Sequence, residues 1–522
     1  MTKQTLKNIA LTLTSSLLLI AAWPPSTLNF LLFIAFVPVM IVIFEQKKVF
    51  HAILYFYFAF QLFLLEMFFS LFTSGPHLTA LMVGLILVPV FWSISFLLSF
   101  LVKRKYGVIP ALILLPFFFV SHEVAQYYWD LSMTWFHLGV GLSNSPYLLG
   151  IYPYLGQEGG TVLIMAFNVS VYHIYHKTKC NQFNVKNAIP LILLILLVII
   201  SNAFNQKIKT TKTVEIAIFQ PEKEKLRAIQ DNLMSQIDLL ETKIQTSEFK
   251  KADLIICPES YFRDMKKYPL VVNNLHSHPA ILRLMEISQQ YQTPILSGAT
   301  LVQLYRSETH PTPSSKLKEP GVYFDIYNGS IFITPDKNIS WRTKQKLVPF
   351  AEITPFYKGF NYLEKHGLWP TRYDRTFASV DSEDPYSYGK LKIAPIICFE
   401  SSFPHIVSKY IQHKANLIVI LSTEWSSSES LIQQHQDGIP ILGKSFGKSL
   451  LFCTLNQKSL LLDDHNLEKK IFSNQEFEKK SIFLLDNRSY YFYFADSPWY
   501  WIVVNIIIIL AFIKLKFYLK MR

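Results

Sequence analysis

The sequence predicts a multi-span α-helical membrane domain joined to an α/β domain. Long apolar stretches recur through the first two hundred residues, and one more closes the chain. Between them, polarity rises abruptly and short strand-like runs alternate with helical ones. A hydrophobic content of 51% over 522 residues, with a positive mean hydropathy, is more than a soluble enzyme needs.

Stretches of spanning length fall at 8–22, 28–44, 52–72, 79–102, 109–129, 159–176 and 188–205, with an eighth at 498–516. The first is not read as a cleaved signal peptide, because Trp23-Pro24-Pro25 follows without a small-residue cleavage site and a second span comes at once. Lys3 and Lys7, Lys47 and Lys48, Lys103-Arg104-Lys105, then Lys177, Lys179 and Lys186, and finally Lys514, Lys516, Lys520 and Arg522 all fall on one side of such an arrangement. The alternate connections 23–27, 73–78 and 130–158 hold no Lys or Arg. The positive-inside rule makes the basic side cytoplasmic. The expected division is therefore 1–205 membrane, 206–497 extracytoplasmic, and 498–522 a last span with a cytoplasmic tail.

A net charge of +13 then orients spans, and no basic stripe with interleaved aromatics points to nucleic acid. Cys180 falls in a cytoplasmic loop, while Cys257, Cys398 and Cys453 fall in the exported domain. No pair has zinc-ligand spacing with partner histidines, and neither metal nor cofactor is expected. Cys257 and Cys453 sit in apolar runs and read as core.

In the exported domain, strands are expected at Val214-Phe219, Asp253-Cys257, Pro294-Ser297, Ser330-Thr334, Lys392-Cys398, Leu417-Leu421, Leu450-Leu455 and Ser459-Leu462. Leu226, Ile229, Leu233, Ile237, Leu240 and Ile244 recur at helical spacing and predict one amphipathic helix; Ala280-Tyr291 predicts another. Residues 304–322 and 356–388 read as long irregular loops.

Three of these runs carry chemistry. Ile393-Ala394-Pro395-Ile396-Ile397 delivers Cys398, followed by Phe399-Glu400-Ser401. Leu254-Ile255-Ile256-Cys257 delivers Pro258-Glu259-Ser260, and between the two lies Lys344 through Leu347-Val348-Pro349-Phe350 to Glu352. Thiol, carboxylate and ammonium together suit acyl transfer. The thiolate attacks a carbonyl, the carboxylate moves the proton, and the ammonium stabilises thiolate and oxyanion.

These segments, with Gln220-Pro221 and Tyr327-Asn328-Gly329, resemble the nitrilase (carbon-nitrogen hydrolase) superfamily and, within it, the apolipoprotein N-acyltransferases. The resemblance implies a nitrilase-like αββα sandwich for the α/β domain. It assigns Glu259 as general base, Lys344 as catalytic lysine and Cys398 as nucleophile, with Glu352 and Glu400 supporting them. Phe399, Trp425, Phe360 and Trp369 are the expected substrate-side residues. It further implies a bacterial inner-membrane protein acting as a monomer with its catalytic domain on the periplasmic side. The donor would be a phospholipid, typically phosphatidylethanolamine, and the acceptor a diacylated apolipoprotein. Ala351 stands where that family usually has glycine, and Phe399 where it has tyrosine. Ser422-Thr423-Glu424-Trp425 departs further, and Ile441-Leu442-Gly443-Lys444 replaces an expected Arg-Ala-x-Glu run after Gln434-His435.

Other features leave choices open. The aromatics of 356–388 suit either a lid that dips to the bilayer or an ordinary loop over the core. Glu66 and Glu123 are carboxylates inside apolar spans, either functional or solvated near the headgroups. Trp135-Phe136-His137-Leu138-Gly139, with Gly156, Gly159 and Gly160, is read by the same resemblance as a floor for the catalytic domain. Two rival functions are a membrane-anchored amidase acting on a small amide and a transporter or scaffold bearing an inactive domain. Seven spans are excessive for an anchor, and few charges or broken helices support a transporter.

Overall fold

A computed structural model describes residues 2–68, 78–203, 210–246, 252–312, 314–349, 351–353, 355–356, 362, 366, 377–423, 429–455, 458–463, 470–472, 476–485 and 489–521. The chain divides into two compact units: Met1–Gln206 with Ser426–Ser445 and Ser489–Arg522, and Lys207–Trp425 with Phe446–Arg488. These bounds differ from the expected division chiefly at Ser426–Ser445, which groups with the helices.

The first unit contains α1 (Lys3–Ala22), α2 (Val37–Glu45), α3 (Val49–Phe68), α4 (Leu78–Tyr106), α5 (Val108–Gln126), α6 (Tyr152–Lys179) and α7 (Ile189–Ala203), joined by the helices Glu429–Phe446 and Tyr500–Met521. Among the described residues, Lys3–Ala22, Val49–Met67, Val108–Gln126 and Val185–Ala203 are long and apolar enough to cross a membrane; Asn29–Glu45 and Tyr500–Lys514 are shorter apolar helices. Phenylalanine fills the interior: Phe36 meets Phe60, Phe96 and Phe119, and Phe60 lies edge-on to Trp92.

The stretch expected as one span at 28–44 is broken. A 3-10 turn, Asn29–Phe33, precedes α2, and Pro38 sits in the first turn of α2. Asn168 of α6 satisfies the break, donating to Leu32 O at 2.7 Å and accepting from Phe36 N at 2.8 Å. Irregular backbone at membrane depth survives only where protein supplies its hydrogen bonds. Glu123 serves the connection between α5 and α6 in the same way: Oε1 accepts from Leu138 N at 2.7 Å and Oε2 from Thr161 Oγ1 at 2.6 Å. Thr161 Oγ1 also accepts from Gly139 N at 2.9 Å. Gly139 must be glycine here, since a Cβ would fall 1.9 Å from Gln157 O. Glu123 is buried, whereas Glu66 is exposed.

The second unit is a four-layer αββα sandwich. Its first sheet runs β14-β1-β2-β4-β6-β5, with β3 beside β4 and β7 beside β6. These strands are β1 (Thr210–Phe219), β2 (Leu254–Phe262), β3 (Leu270–Val271), β4 (Ile295–Arg306), β5 (Lys316–Glu319), β6 (Val322–Ile333), β7 (Ile339–Thr343) and β14 (Phe477–Leu485). The second sheet runs β13-β12-β11-β10-β9-β8, from β8 (Tyr386–Tyr388), β9 (Leu391–Ile397), β10 (Leu417–Ser422), β11 (Ser449–Thr454), β12 (Leu460–Leu462) and β13 (Lys470–Ile471). Alternate residues of facing strands, among them Ile216, Ile256, Leu296, Ile393, Val419 and Leu451, interlock as the core between the sheets. The helices Leu233–Thr246 and Pro279–Tyr291 cover the other face of the first sheet, and Pro404–Gln412 packs on β9.

The single helix expected from Leu226 to Ile244 is two, Lys223–Ala228 and Leu233–Thr246. Asp231 takes φ 67° between them, and Asn232 Oδ1 accepts from Ser235 N at 3.1 Å to start the second. Residues 304–322 are less irregular than expected, because β4 runs on to Arg306 and β5 pairs with β6. Buried Asp325 draws in the rest, accepting from Thr312 Oγ1 at 2.7 Å and Ser314 Oγ at 2.8 Å.

Candidate active site

Three strand ends of the second unit converge on the site. β9 and β10 run parallel with Ile397 beside Leu421, so Cys398 and Thr423 leave neighbouring carboxyl ends. Cys398 is half-buried and adopts φ 49°, left-handed for a residue with a Cβ, as the chain turns from β9 into a 3-10 turn. Such backbone costs of order 1–3 kcal/mol and gathers at functional sites. Ser260, just after Glu259, shares the conformation at φ 53°.

Glu259 sits where the β2–β4 register shifts between Cys257 and Phe262. Gly298 of β4 makes room, for a Cβ there would fall 2.5 Å from both Glu259 Cα and Pro258 O. Lys344 follows β7 and is anchored by its backbone N–H to Asn328 O of β6 at 2.8 Å.

The side chains form one buried network. Lys344 Nζ lies 3.0 Å from Glu352 Oε1, 2.9 Å from Glu352 Oε2 and 3.5 Å from Glu259 Oε1. Asn328 Nδ2 donates to Glu259 Oε1 at 2.7 Å and to Glu352 Oε1 at 2.8 Å. Thr423 N donates to Glu259 Oε2 at 2.8 Å, and Val348 N to Glu352 Oε2 at 2.9 Å. Glu259 and Lys344 are each 1% exposed or less, so every lone pair and proton must find a partner inside.

Burial raises the Glu259 carboxyl above its ordinary range, opposed by Lys344 and reinforced by Glu352. Burial would lower the Lys344 ammonium, but the charges of Glu352, Glu259 and Cys398 outweigh it and hold it high. The thiol of Cys398 thus lies within the electrostatic reach of Lys344. Burial pushes Glu400 up to about 7, against the N–H groups of Ile397 and Gln345 and the charge of Lys344. Glu400 Oε2 accepts from Ile397 N at 2.7 Å and Oε1 from Gln345 N, tying the turn that carries Cys398 to the segment that carries Lys344.

Asn328 and Thr423 are the parts that sequence reasoning missed. Asn328 is a neutral amide that carries no charge to mark it, and Thr423 acts through a backbone N–H that no residue type announces. Phe399, expected on the substrate side, is 1% exposed and packs edge-on against Phe403 at 4.9 Å. Trp425, Phe360 and Trp369 lie outside the described residues. Cys257 and Cys453 are fully buried, and burial pushes both thiols up. Among the described residues no group of three or more His, Cys, Asp or Glu is arranged to hold a metal ion.

The arrangement thus holds a half-buried thiol at Cys398, a buried carboxyl at Glu259 and an ammonium at Lys344 between two carboxylates. Comparison with known proteins adds sequence likenesses. Residues 15–170 match the apolipoprotein N-acyltransferase N-terminal domain. An apolipoprotein N-acyltransferase of Chlorobaculum tepidum is 24% identical over 344 residues, 62% of this chain and 61% of the relative. One of Borreliella burgdorferi is 23% identical over 425 residues, 77% of this chain and 74% of its own. This chain therefore spans under two thirds of the first relative's length. Among solved structures, an amidase from Nesterenkonia sp. covers 55% of this chain and 95% of its own at 12% identity, with a TM-score of 0.36. In sequence the chain is thus similar to apolipoprotein N-acyltransferases, and its residues 15–170 match the model of their N-terminal domain.

Proposed function

We propose that the chain N-acylates the S-diacylglyceryl cysteine at the start of an apolipoprotein, using a phospholipid as acyl donor. Glu259 takes the Cys398 thiol proton, and the thiolate attacks the donor's ester carbonyl. Lys344 stabilises the oxyanion; the intermediate collapses by breaking the ester C–O bond, and Glu259 returns the proton to the lysophospholipid oxygen. An acyl thioester remains on Cys398. The acceptor's α-amino group attacks it, gives a proton to Glu259, and expels the thiolate as the amide forms. Such a double displacement gives ping-pong kinetics.

The observation that carries this reading is the buried Glu259–Lys344–Glu352 network beside a thiol on a strained turn, in a chain with apolar spans. Glu352 holds the lysine, and Glu400 holds the turn. The charge pattern of the spans supports basic ends in the cytoplasm and a catalytic unit on the periplasmic side of a bacterial inner membrane. A phosphatidylethanolamine donor and action as a monomer belong to the same proposal.

The test is transfer. The full chain in detergent is charged with acyl-labelled phospholipid, freed of donor, and given a diacylated lipopeptide. The reading expects label to move to the peptide as an amide and lysophospholipid to form in equal amount. Label released only to water would refute it in favour of a hydrolase.

A further inference from the structure

Residues 377–385, part of the stretch expected as a loop over 356–388, form neither helix nor strand, yet their hydrogen bonds converge on the segment that carries Lys344. Phe377 N donates to Glu352 O, and Ala378 N to Ile326 O of β6, both at 2.8 Å. Thr343, 3% exposed, ends β7 and makes a two-way bridge. Val380 N donates to Thr343 Oγ1 at 2.8 Å, and that hydroxyl donates to Val380 O at 2.9 Å. On the other side of Lys344, Gln345 O accepts from Ser379 Oγ at 3.2 Å. Gln345 Nε2 donates to Ser382 O at 2.7 Å and to Tyr410 OH at 3.1 Å. One stretch of chain thus fastens both neighbours of Lys344, together with the main chain of Glu352, whose carboxylate lies closer to the ammonium than that of Glu259.

β6 holds Lys344 from the opposite direction, through the bond from its N–H to Asn328 O. A lysine side chain is long and rotamer-rich, so an ammonium that must meet two carboxylates needs a fixed root. We infer that residues 377–382 are a strap that positions the Lys344 ammonium between Glu352 and Glu259, with Thr343 as a positioning residue. The position calls for a hydroxyl, because one group must accept from Val380 N–H and donate to Val380 O at once. Without it two backbone groups would lose their partner. This inference rests on the proposed role of Lys344, whose charge also reaches the Cys398 thiol.

Thr343→Val keeps the shape of the side chain and removes the bridge, Thr343→Ser keeps the bridge, and Gln345→Ala loosens the strap from the other side of Lys344. Full-length wild type and the three variants are compared in detergent, below their unfolding midpoints. The first readout is the pH midpoint of Cys398 alkylation by iodoacetamide, followed on the Cys398 peptide by mass spectrometry, which needs no acyl transfer. A displaced ammonium stabilises the thiolate less. The midpoint should therefore rise in T343V and Q345A, with alkylation at neutral pH slowed about three- to tenfold, the scale of one hydrogen bond, while T343S matches wild type. The second readout is acylation by phospholipid, whose rate should fall by a like factor with KM unchanged. An unaltered alkylation midpoint in both T343V and Q345A would overturn the inference and leave the strap a structural tie alone. If wild type formed no acyl-enzyme, the proposed function would fall, while the alkylation midpoint would still decide whether the strap positions Lys344.

Discussion

Lys344 Nζ stands 3.5 Å from Glu259 Oε1 but 2.9 Å from Glu352 Oε2. The ammonium is held chiefly by Glu352, which leaves Glu259 electrostatically supported yet free to take a proton. Glu352→Gln removes that division. Lys344 then acts on Glu259 alone, and Glu259 loses a like-charged neighbour that raises it. The acid limb of the rate should therefore move to lower pH as the base weakens. Loss of a charged hydrogen bond, about 1.5–3 kcal/mol, makes acylation roughly ten- to a hundredfold slower. Single-turnover rates against pH check both the slope and the direction.

Asn328→Ala should move the acid limb the opposite way. The amide donates to the charged forms of Glu259 and Glu352. Without it, burial and the charge of Glu352 act on Glu259 with only Lys344 and the Thr423 N–H opposing them, so its carboxyl rises further. An unchanged or lowered limb in this variant would remove Asn328 from the account.

Gly298→Ala tests the backbone beneath the base. The added methyl meets Glu259 Cα and Pro258 O, atoms that cannot rotate aside. Overpacking of this kind costs about 1–3 kcal/mol. A lower unfolding midpoint should be accompanied by slower acylation in the fraction that remains folded, measured per active thiol.

Glu400 gives stability a pH dependence. Its carboxyl is raised from an ordinary 4.5 to about 7, so the folded state holds this proton more tightly than the unfolded state. The contribution is full below 4.5 and is lost as pH rises to about 7, amounting to about 3 kcal/mol. Glu400→Gln cannot ionise, so its unfolding midpoint should decline less than that of wild type across this window. Parallel declines would show that Glu400 does not titrate there.

Much of this arrangement was legible because strands that end in reactive residues are themselves apolar and short. Cys398 follows such a strand, and β9 and β10 lie within a residue or two of the expected runs; Glu259 lies inside β2, which continues past the expected end at Cys257 to Phe262. The charged strand β14, Phe477–Leu485, escaped notice because an edge facing water carries Glu and Lys rather than alternating apolar residues. The break at Asp231 was hidden by apolar spacing that continues across it. Asn328 was silent for another reason: a neutral amide between two carboxylates has no charge to draw attention. Ser426–Ser445 groups with the helices, where Asp437 accepts from Asn144, nearly three hundred residues away, and no local pattern records that contact.

The central claim is that Cys398 carries the acyl chain. It is tested by peptide mass spectrometry of the full chain after incubation with phospholipid. The account predicts one acyl group on the Cys398 peptide, removed by hydroxylamine and absent from Cys398→Ala. An acyl group on another residue, or undiminished acylation in Cys398→Ala, would contradict it.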